Sequence, residues 1–289
     1  MQALSQLLKH PAAAYKRLHR FAYWALIDKL WPCIPVKQIG YKKNKIFSIG
    51  IVTYINRYEK IFKPFMKSIY KLFPDTEIVI AINGHYDQEK QKLYLADIGE
   101  FLARFPNVKR IEYQTGQSLS KLWNQLVINS TADKTFIFND DIKIAPGFRN
   151  NLESSIVLTR DVALLNGSWS HFLISKHVIR KVGWFDERFP GVGNEDEDYE
   201  TRLVLNDIHV ESFKVAGLKN IVFSTKDFSY GENTKTINVK YVRENKVFFD
   251  KKWDTSNDKE EGYVFVRILG KYLKLNSGME TPNFYRHWS

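Results

Sequence analysis

The chain is poor in cysteine, in long apolar runs and, over its first forty-five residues, in negative charge. The single cysteine, Cys33, leaves no internal disulfide, and such usage suits a reducing compartment. Lodged between Pro32 and Ile34 in an apolar, proline-flanked stretch, Cys33 is a poor candidate for a nucleophile. No run of eighteen apolar residues occurs, so no segment reads as a transmembrane helix. A signal peptide's clean apolar core and small-residue cleavage site are also missing. The expected location is the cytosol or a cytosolic membrane face.

What is present is globular: 289 residues, 44% apolar and 26% charged, enough for one generous domain with appendages. The net charge is +11, and residues 1–45 hold nine Lys or Arg against Asp28 alone. Eight of the eleven net charges therefore lie in that segment. Leu4, Leu7, Leu8, Tyr15, Leu18, Phe21, Ala22, Ala25, Leu26 and Trp31 recur there at helical spacing, interrupted by Pro11. The pattern predicts a short helix, a break and a longer amphipathic helix, suited to an anionic membrane surface. A helix packed on the main domain with a solvated basic face fits the same pattern. Nucleic acid is not expected, because no recognised binding motif accompanies the charge. Trp31-Pro32-Cys33-Ile34-Pro35 and the basic link Lys42–Lys45 place a boundary near residue 45.

From there the pattern alternates. Strands are predicted over Ile46–Tyr54, Glu77–Ile82, Val108–Tyr113 and Thr135–Asn139, with helices to about Leu72, over Gln88–Arg104 and over Ser118–Asn129. This is an α/β fold with a mostly parallel sheet. Ligands in such folds bind beyond the carboxyl ends of the strands, which here are Thr53/Tyr54, Asn83/Gly84 and Asn139/Asp140/Asp141. A strand pair is predicted at Ala163–Asn166 and Phe172–Ser175, then a helix through Lys176–Val182. After Val215 the alternation stops. Tyr230-Gly231-Glu232-Asn233 reads as a loop and Val239–Asp250 as a helix. Residues 254–289 could be a lid or a second membrane-facing patch. The expected division is 1–45 (basic helical extension), 46–215 (catalytic domain) and 216–289 (helical and irregular).

Two acidic elements stand out. Asp140-Asp141 at a strand end could hold Mg²⁺ or Mn²⁺ through oxygen, or form an Asx-type turn. In Gly183–Leu203 the acids Glu195, Asp196, Glu197 and Asp198 are consecutive and follow Gly191-Val192-Gly193. Asn194 with Glu197 predicts a capping box opening a helix over Glu195–Leu205. Capping leaves Asp196 and Asp198 unexplained.

In order, IGIVTYINR, IAING, GQSLSKLWNQL, FNDDIKIAPGF, GWFDERF before GNEDEDYETRL, and NKVFFDKKW resemble the motifs of inverting GT-A glycosyltransferases. The likeness is to the family-2-like group of bacterial cell-surface polysaccharide enzymes, and it spans residues 46–253. It implies a Rossmann-like GT-A fold, a UDP-sugar donor, a divalent metal and a saccharide or lipid-linked saccharide acceptor. It also implies peripheral attachment at the cytoplasmic face of the inner membrane. Carried over by position, Thr53 and Asn83 would lie around the base and ribose, with Tyr54, Asn139 and Trp184 as further nucleotide-sugar contacts. Asp140 would touch ribose or phosphate, and Asp141 would be the metal ligand. Asp196 would be the catalytic base, with Glu195 and Asp198 supporting it or orienting the acceptor. Two positions depart from the pattern: Asn83 stands where many relatives have Asp, and no His after residue 210 stands in the position of a third metal ligand.

Inverting transfer needs a base on the acceptor hydroxyl, and neighbouring acids raise a carboxyl's pKa toward a useful value while a helix N-terminus lowers it. A non-catalytic glycan- or sugar-nucleotide-binding protein is the main alternative. Glycoside hydrolysis, which also uses two carboxylates, fits the sheet-and-metal context less well.

Overall fold

The structure is a computed structural model that describes residue 19 and residues 22–27, 29–30, 44–221 and 232–288. The predicted short N-terminal helix, the Pro11 break, most of the longer helix, Trp31–Pro35 and the Tyr230-Gly231 loop lie outside the described residues. Residues 22–27 and 29–30 are helical, as the periodicity predicts. Trp24 is buried with Lys219 Nζ 5.8 Å from its ring centre, whereas Tyr23, Leu26 and Leu30 are exposed.

The central sheet has seven strands: β1 (Asn44–Thr53), β2 (Thr76–Ile82), β3 (Val108–Glu112), β4 (Lys134–Asn139), β6 (Val162–Leu165), β7 (Ser168–Ser175) and β8 (Glu211–Phe213). Their order is β3-β2-β1-β4-β7-β6-β8. The first four are mutually parallel, β7 is antiparallel to both neighbours, and β6 and β8 are parallel. The expected mostly parallel α/β architecture is what forms. Strands β1, β2 and β4 are buried on both faces, which is why they read as unbroken apolar runs rather than alternating ones.

Helices cover both faces. On one, Phe62 and, from α1 (Lys63–Leu72) and α2 (Gln88–Leu102), Met66, Ile69, Ile98 and Phe101 meet Ile49, Ile51, Ile78 and Ile80. On the other, α3 (Leu119–Asn129), α5 (Lys176–Val182) and α6 (Glu195–Leu205) supply Leu122, Trp123, Leu126, Val178, Ile179, Tyr199 and Leu203 against Val52, Val79, Ala81 and Ile137. Between β4 and β6 along the chain, a short helix α4 (Phe148–Glu153) carries Phe148 into the first layer. A Cβ on Gly50 would lie 3.0 Å from Leu126, so α3 rides close over β1 there.

Beyond the expected boundary at 215, β9 (Leu218–Asn220) pairs with β5 (Ile142–Ile144), the ribbon leaving the Asp140-Asp141 turn. Helix α7 (Glu232–Lys252) follows. The tail holds a three-stranded antiparallel sheet, β10 (Trp253–Ser256), β12 (Lys271–Leu275) and β11 (Val264–Val266) in spatial order. Its Trp253, Val266 and Leu273 pack with Phe189 and Phe249 into a separate small core. No helix among the described residues is long and apolar enough to cross a membrane.

Candidate active site

Chain order β1, β2, β3 runs to one side of β1, and β4 returns on the other. The reversal opens a crevice at the carboxyl ends of β1 and β4, where Val52 pairs with Asn139 and where α/β sheets bind ligands. Thr53 leaves β1 there and donates from Oγ1 to Asp140 Oδ2 at 2.7 Å. Arg57, on the 3-10 turn Ile55–Arg57, donates from Nη1 to Asp140 Oδ1 at 2.8 Å and lies 3.2 Å from Asp141 Oδ2. Tyr54 lies beside them, its ring centre 5.1 Å from the Arg57 guanidinium carbon.

Burial pushes the Asp140 carboxyl up to about 6 against the opposing pull of Arg57 and Thr53, which still leaves it ionised at neutral pH. For Arg57, burial works against the charge, and the two aspartates outweigh it and hold the guanidinium protonated. Asp140 is 1% exposed with both oxygens engaged. Asp141 is different: its side chain is 23% exposed, and its Oδ1, like Asn139 Oδ1, has no hydrogen-bond partner among the described residues.

A hard divalent cation takes one or two carboxylates together with phosphate oxygens and waters. Asp141 fits that demand, with an oxygen available beside a rim where a diphosphate could lie. The described residues hold no group of three or more His, Cys, Asp or Glu able to cage an ion, so a cation at Asp141 would draw further ligands from phosphate or water. Near this turn, His171 on β7 is committed through Nε2 to Asn220 Oδ1 at 2.6 Å, and burial lowers its pKa.

Asn83, predicted at the base and ribose, closes a loop instead. Its Oδ1 accepts from Gly84 N–H (2.9 Å) and Gln117 N–H (2.8 Å), and its Nδ2 donates to Gln117 O (3.2 Å). Gly84 is required at that approach, since a Cβ there would lie 2.2 Å from the Thr115 carbonyl carbon. The same loop leads into α3, where Leu119 N–H donates to Gly191 O at 2.8 Å. The glycine turn before the acidic helix is thereby tied to the strand-end rim.

The predicted capping box does not form. Asn194 is left-handed (φ 63°), and its amide donates to Glu197 instead of its oxygen accepting a backbone N–H. Glu195 folds back, its Oε2 accepting from Gly193 N–H. Burial first, then the charge of Asp196, raises the Glu195 pKa to about 8. Asp198 is fully buried between Lys252 Nζ (2.5 Å), Trp253 Nε1 (2.9 Å) and Arg202 Nε (3.0 Å). Lys252 also reaches Asp186 Oδ2 at 2.7 Å, and Arg188 Nη2 meets the same oxygen at 2.7 Å. Asp196 accepts from a neighbouring backbone group, Glu197 N–H at 3.0 Å, and unlike Glu195 and Asp198 is only half-buried. Burial raises its pKa.

Asp198 therefore braces the turn from the interior, while Asp196 keeps partial exposure at its surface. Trp184, predicted as a sugar contact, is buried on the face of the sheet carrying α3, edge-on to Tyr285 and Trp288 at 4.9 and 4.7 Å. Sequence reasoning gave no role to Arg57, inside IGIVTYINR, or to Lys252, inside NKVFFDKKW. Both were marked only by lying in motif segments.

Helix α7 fixes the glycine turn from the far side. Asn245, fully buried, donates to Pro190 O (2.9 Å) and Gly193 O (2.7 Å). A Cβ on Gly191 (φ 61°) would lie 2.3 Å from the Tyr241 ring, so this left-handed position admits no side chain without displacing the helix.

No family model and no curated protein matches the chain. It is similar to solved structures of glycosyltransferases. One is S. aureus TarS 1–349 in complex with UDP: 14% identity, 71% of this chain, 72% of that chain and a TM-score of 0.47. Mannosyltransferase PcManGT from Pyrobaculum calidifontis, in complex with GDP-Man and Mn²⁺, gives 12%, 70%, 64% and 0.45. GalNAc-T7 with UDP, GalNAc and Mn²⁺ gives 13%, 73%, 50% and 0.49. The chain spans only 37% of the longer TarS structure. The TM-scores of these structures all lie below 0.5.

Proposed function

We propose that the protein is an inverting glycosyltransferase that moves a sugar, a hexose carried on UDP, to a hydroxyl of a saccharide or lipid-linked saccharide. One observation carries this reading: the Asp140-Asp141 pair clamped by Thr53 and Arg57 at the switch point of the sheet. The motif order IGIVTYINR, FNDDIKIAPGF and GNEDEDYETRL supports it.

Asp196 takes the proton from the acceptor hydroxyl as that oxygen attacks the anomeric carbon opposite the nucleoside diphosphate. A carboxyl raised by burial is a stronger base than an exposed one, yet Asp196 must be ionised to act. Asp141 would hold Mn²⁺ or Mg²⁺, which when bound stabilises charge on the departing diphosphate as a Lewis acid. Asp140, with Thr53 beneath it, orients ribose or phosphate, and Tyr54 and Asn139 border the same crevice. The basic N-terminal segment and the resemblance to surface-polysaccharide enzymes support action on the cytoplasmic face of the inner membrane, against anionic lipid.

The test is a donor screen with UDP-hexoses and Mn²⁺, following UDP release. Asp196→Asn should keep UDP binding and lose transfer by a factor on the order of 10²–10⁴. UDP binding with no turnover on any donor–acceptor pair would favour a non-catalytic sugar-nucleotide-binding protein.

A further inference from the structure

Arg57 is a cation standing where a metal's charge is needed. Its guanidinium touches both aspartates, at 2.8 Å from Asp140 and 3.2 Å from Asp141, and the side chain is 14% exposed. Two features fix it there. Its own N–H donates to Tyr54 O at 3.0 Å, and the turn it ends runs straight into a π-helical turn, Tyr58–Phe62, a distortion common at functional sites. An arginine in a protein cannot shed its proton, so the charge is permanent.

The two aspartates are held unequally. Asp140 is tied by Thr53 and Arg57 and is sealed from solvent. Asp141 has one longer contact to Arg57, a partly exposed side chain and an oxygen without a hydrogen-bond partner among the described residues. Of the two, Asp141 is the one that can be released.

We propose that Arg57 is a positioning residue that couples metal binding to diphosphate binding. It holds the aspartate pair in place of a metal and hands Asp141 over when a nucleoside diphosphate arrives. This rests on the reading of Asp141 as the metal-bearing residue. The physical reasoning is electrostatic. Two carboxylates and one guanidinium leave a single net negative charge, and a divalent ion entering alone meets the guanidinium on the same carboxylates. A diphosphate changes the balance. Its oxygens add negative charge, and they suit a guanidinium fork as well as a carboxylate does. Arg57 can then exchange Asp141 for phosphate while keeping Asp140.

The experiment is Mn²⁺ titration of the full chain, followed by electron paramagnetic resonance and calorimetry, with no donor present, with and without UDP. In the wild type, UDP should tighten Mn²⁺ binding by roughly tenfold or more, and Mn²⁺ must tighten UDP by the same factor because binding linkage is reciprocal. Arg57→Gln should bind Mn²⁺ alone about tenfold more tightly than wild type and lose most of the UDP enhancement. Arg57→Lys keeps the charge but loses the guanidinium fork that suits phosphate, and should fall between the two. If Arg57→Gln does not fold, the lysine variant alone must still bind free Mn²⁺ more tightly than wild type. Equal free-Mn²⁺ affinity in wild type and variants, with Mn²⁺–UDP bound by all, overturns the role of Arg57 and leaves the metal site standing. No Mn²⁺ binding by the wild type even with UDP, or binding unchanged in Asp141→Asn, overturns the metal site and this inference together.

Discussion

Lys252 offers the sharpest stability test of the scaffold behind the acidic turn. Its Nζ lies 2.7 Å from Asp186, 2.5 Å from Asp198 and 2.8 Å from Thr281 Oγ1, and Lys252, Asp186 and Asp198 are all 0% exposed. Lys252→Met keeps the apolar stem and deletes the charge. Removing one member of a buried ion pair costs about 3–5 kcal/mol, because the partner stays behind uncompensated. Arg188 on Asp186 and Arg202 on Asp198 remain, so the low end applies, about 3 kcal/mol.

The Asp186 titration gives an independent scale. Burial alone would raise its pKa, but Arg188 and Lys252 overcome that and hold it at about 2, against 3.8 ordinarily. That depression corresponds to roughly 2 kcal/mol of stability at neutral pH, shared between the two cations. Because the folded-state value is the lower one, this contribution is complete above pH 3.8 and lost as pH falls through about 2. Urea unfolding of wild type and variant at pH 7 measures the loss. The gap should narrow as the medium is acidified toward pH 3, where the orphaned acids in the variant can protonate. Pairing Lys252→Met with Asp198→Asn should recover part of the loss by removing one stranded charge. A loss under about 1 kcal/mol, the scale of a surface pair, would refute the assignment of Lys252 as the buried brace of this turn.

Two further outcomes are expected. Glu195 has a raised pKa of about 8, so between 4.5 and 8 the folded chain holds a proton that the unfolded chain has released; stability contributed here falls as pH rises through that window. Glu195→Gln should therefore raise the urea midpoint above pH 8, leave it unchanged near pH 5, and remove any inflection near pH 8 from the pH–rate profile. A variant with an unaltered pH dependence of stability would contradict the burial of that carboxyl. Gly84→Ala drives a Cβ into the Thr115 backbone, and a loss of about 1–3 kcal/mol in urea unfolding is expected; a neutral substitution would show that the Asn83 loop is not held closed.

The fold was largely legible because a doubly covered parallel sheet writes itself as apolar runs. β1, β2 and β4 begin and end within two residues of the predicted limits, and α5 and α6 coincide with theirs. The tail was not legible. β10, β11 and β12 are three to five residues each, and what makes them strands is antiparallel pairing between segments up to twenty-two positions apart, such as Trp253 with Leu275. Site residues divide the same way. Asp140-Asp141 could be picked out at a strand end, but the clamp that distinguishes them needs β4 to lie beside β1, which brings Arg57 across eighty-three positions. Asn83 stands at the expected strand end, but its engagement by a loop arriving from β3 was not legible in sequence.

The acidic turn shows how tertiary partners sort residues that the sequence presents as equals. Four consecutive carboxylates in a first helical turn gain something from the helix dipole, but that gain is shared and cannot rank them. Partners outside the run do the ranking, some adjacent and some more than fifty positions away. Lys252 and Trp253 draw Asp198 into the interior, Gly193 turns Glu195 back on its own loop, and Asn194 holds Glu197. Repulsion within the run is offset because Asp198 is neutralised by cations, and because Glu195, with its pKa raised to about 8, stays protonated at neutral pH. Asp196 is left with a single neighbouring N–H, a raised pKa and partial access to solvent. Asp196 acquires those properties, which the proposed role of general base requires, from the way its three neighbours are held.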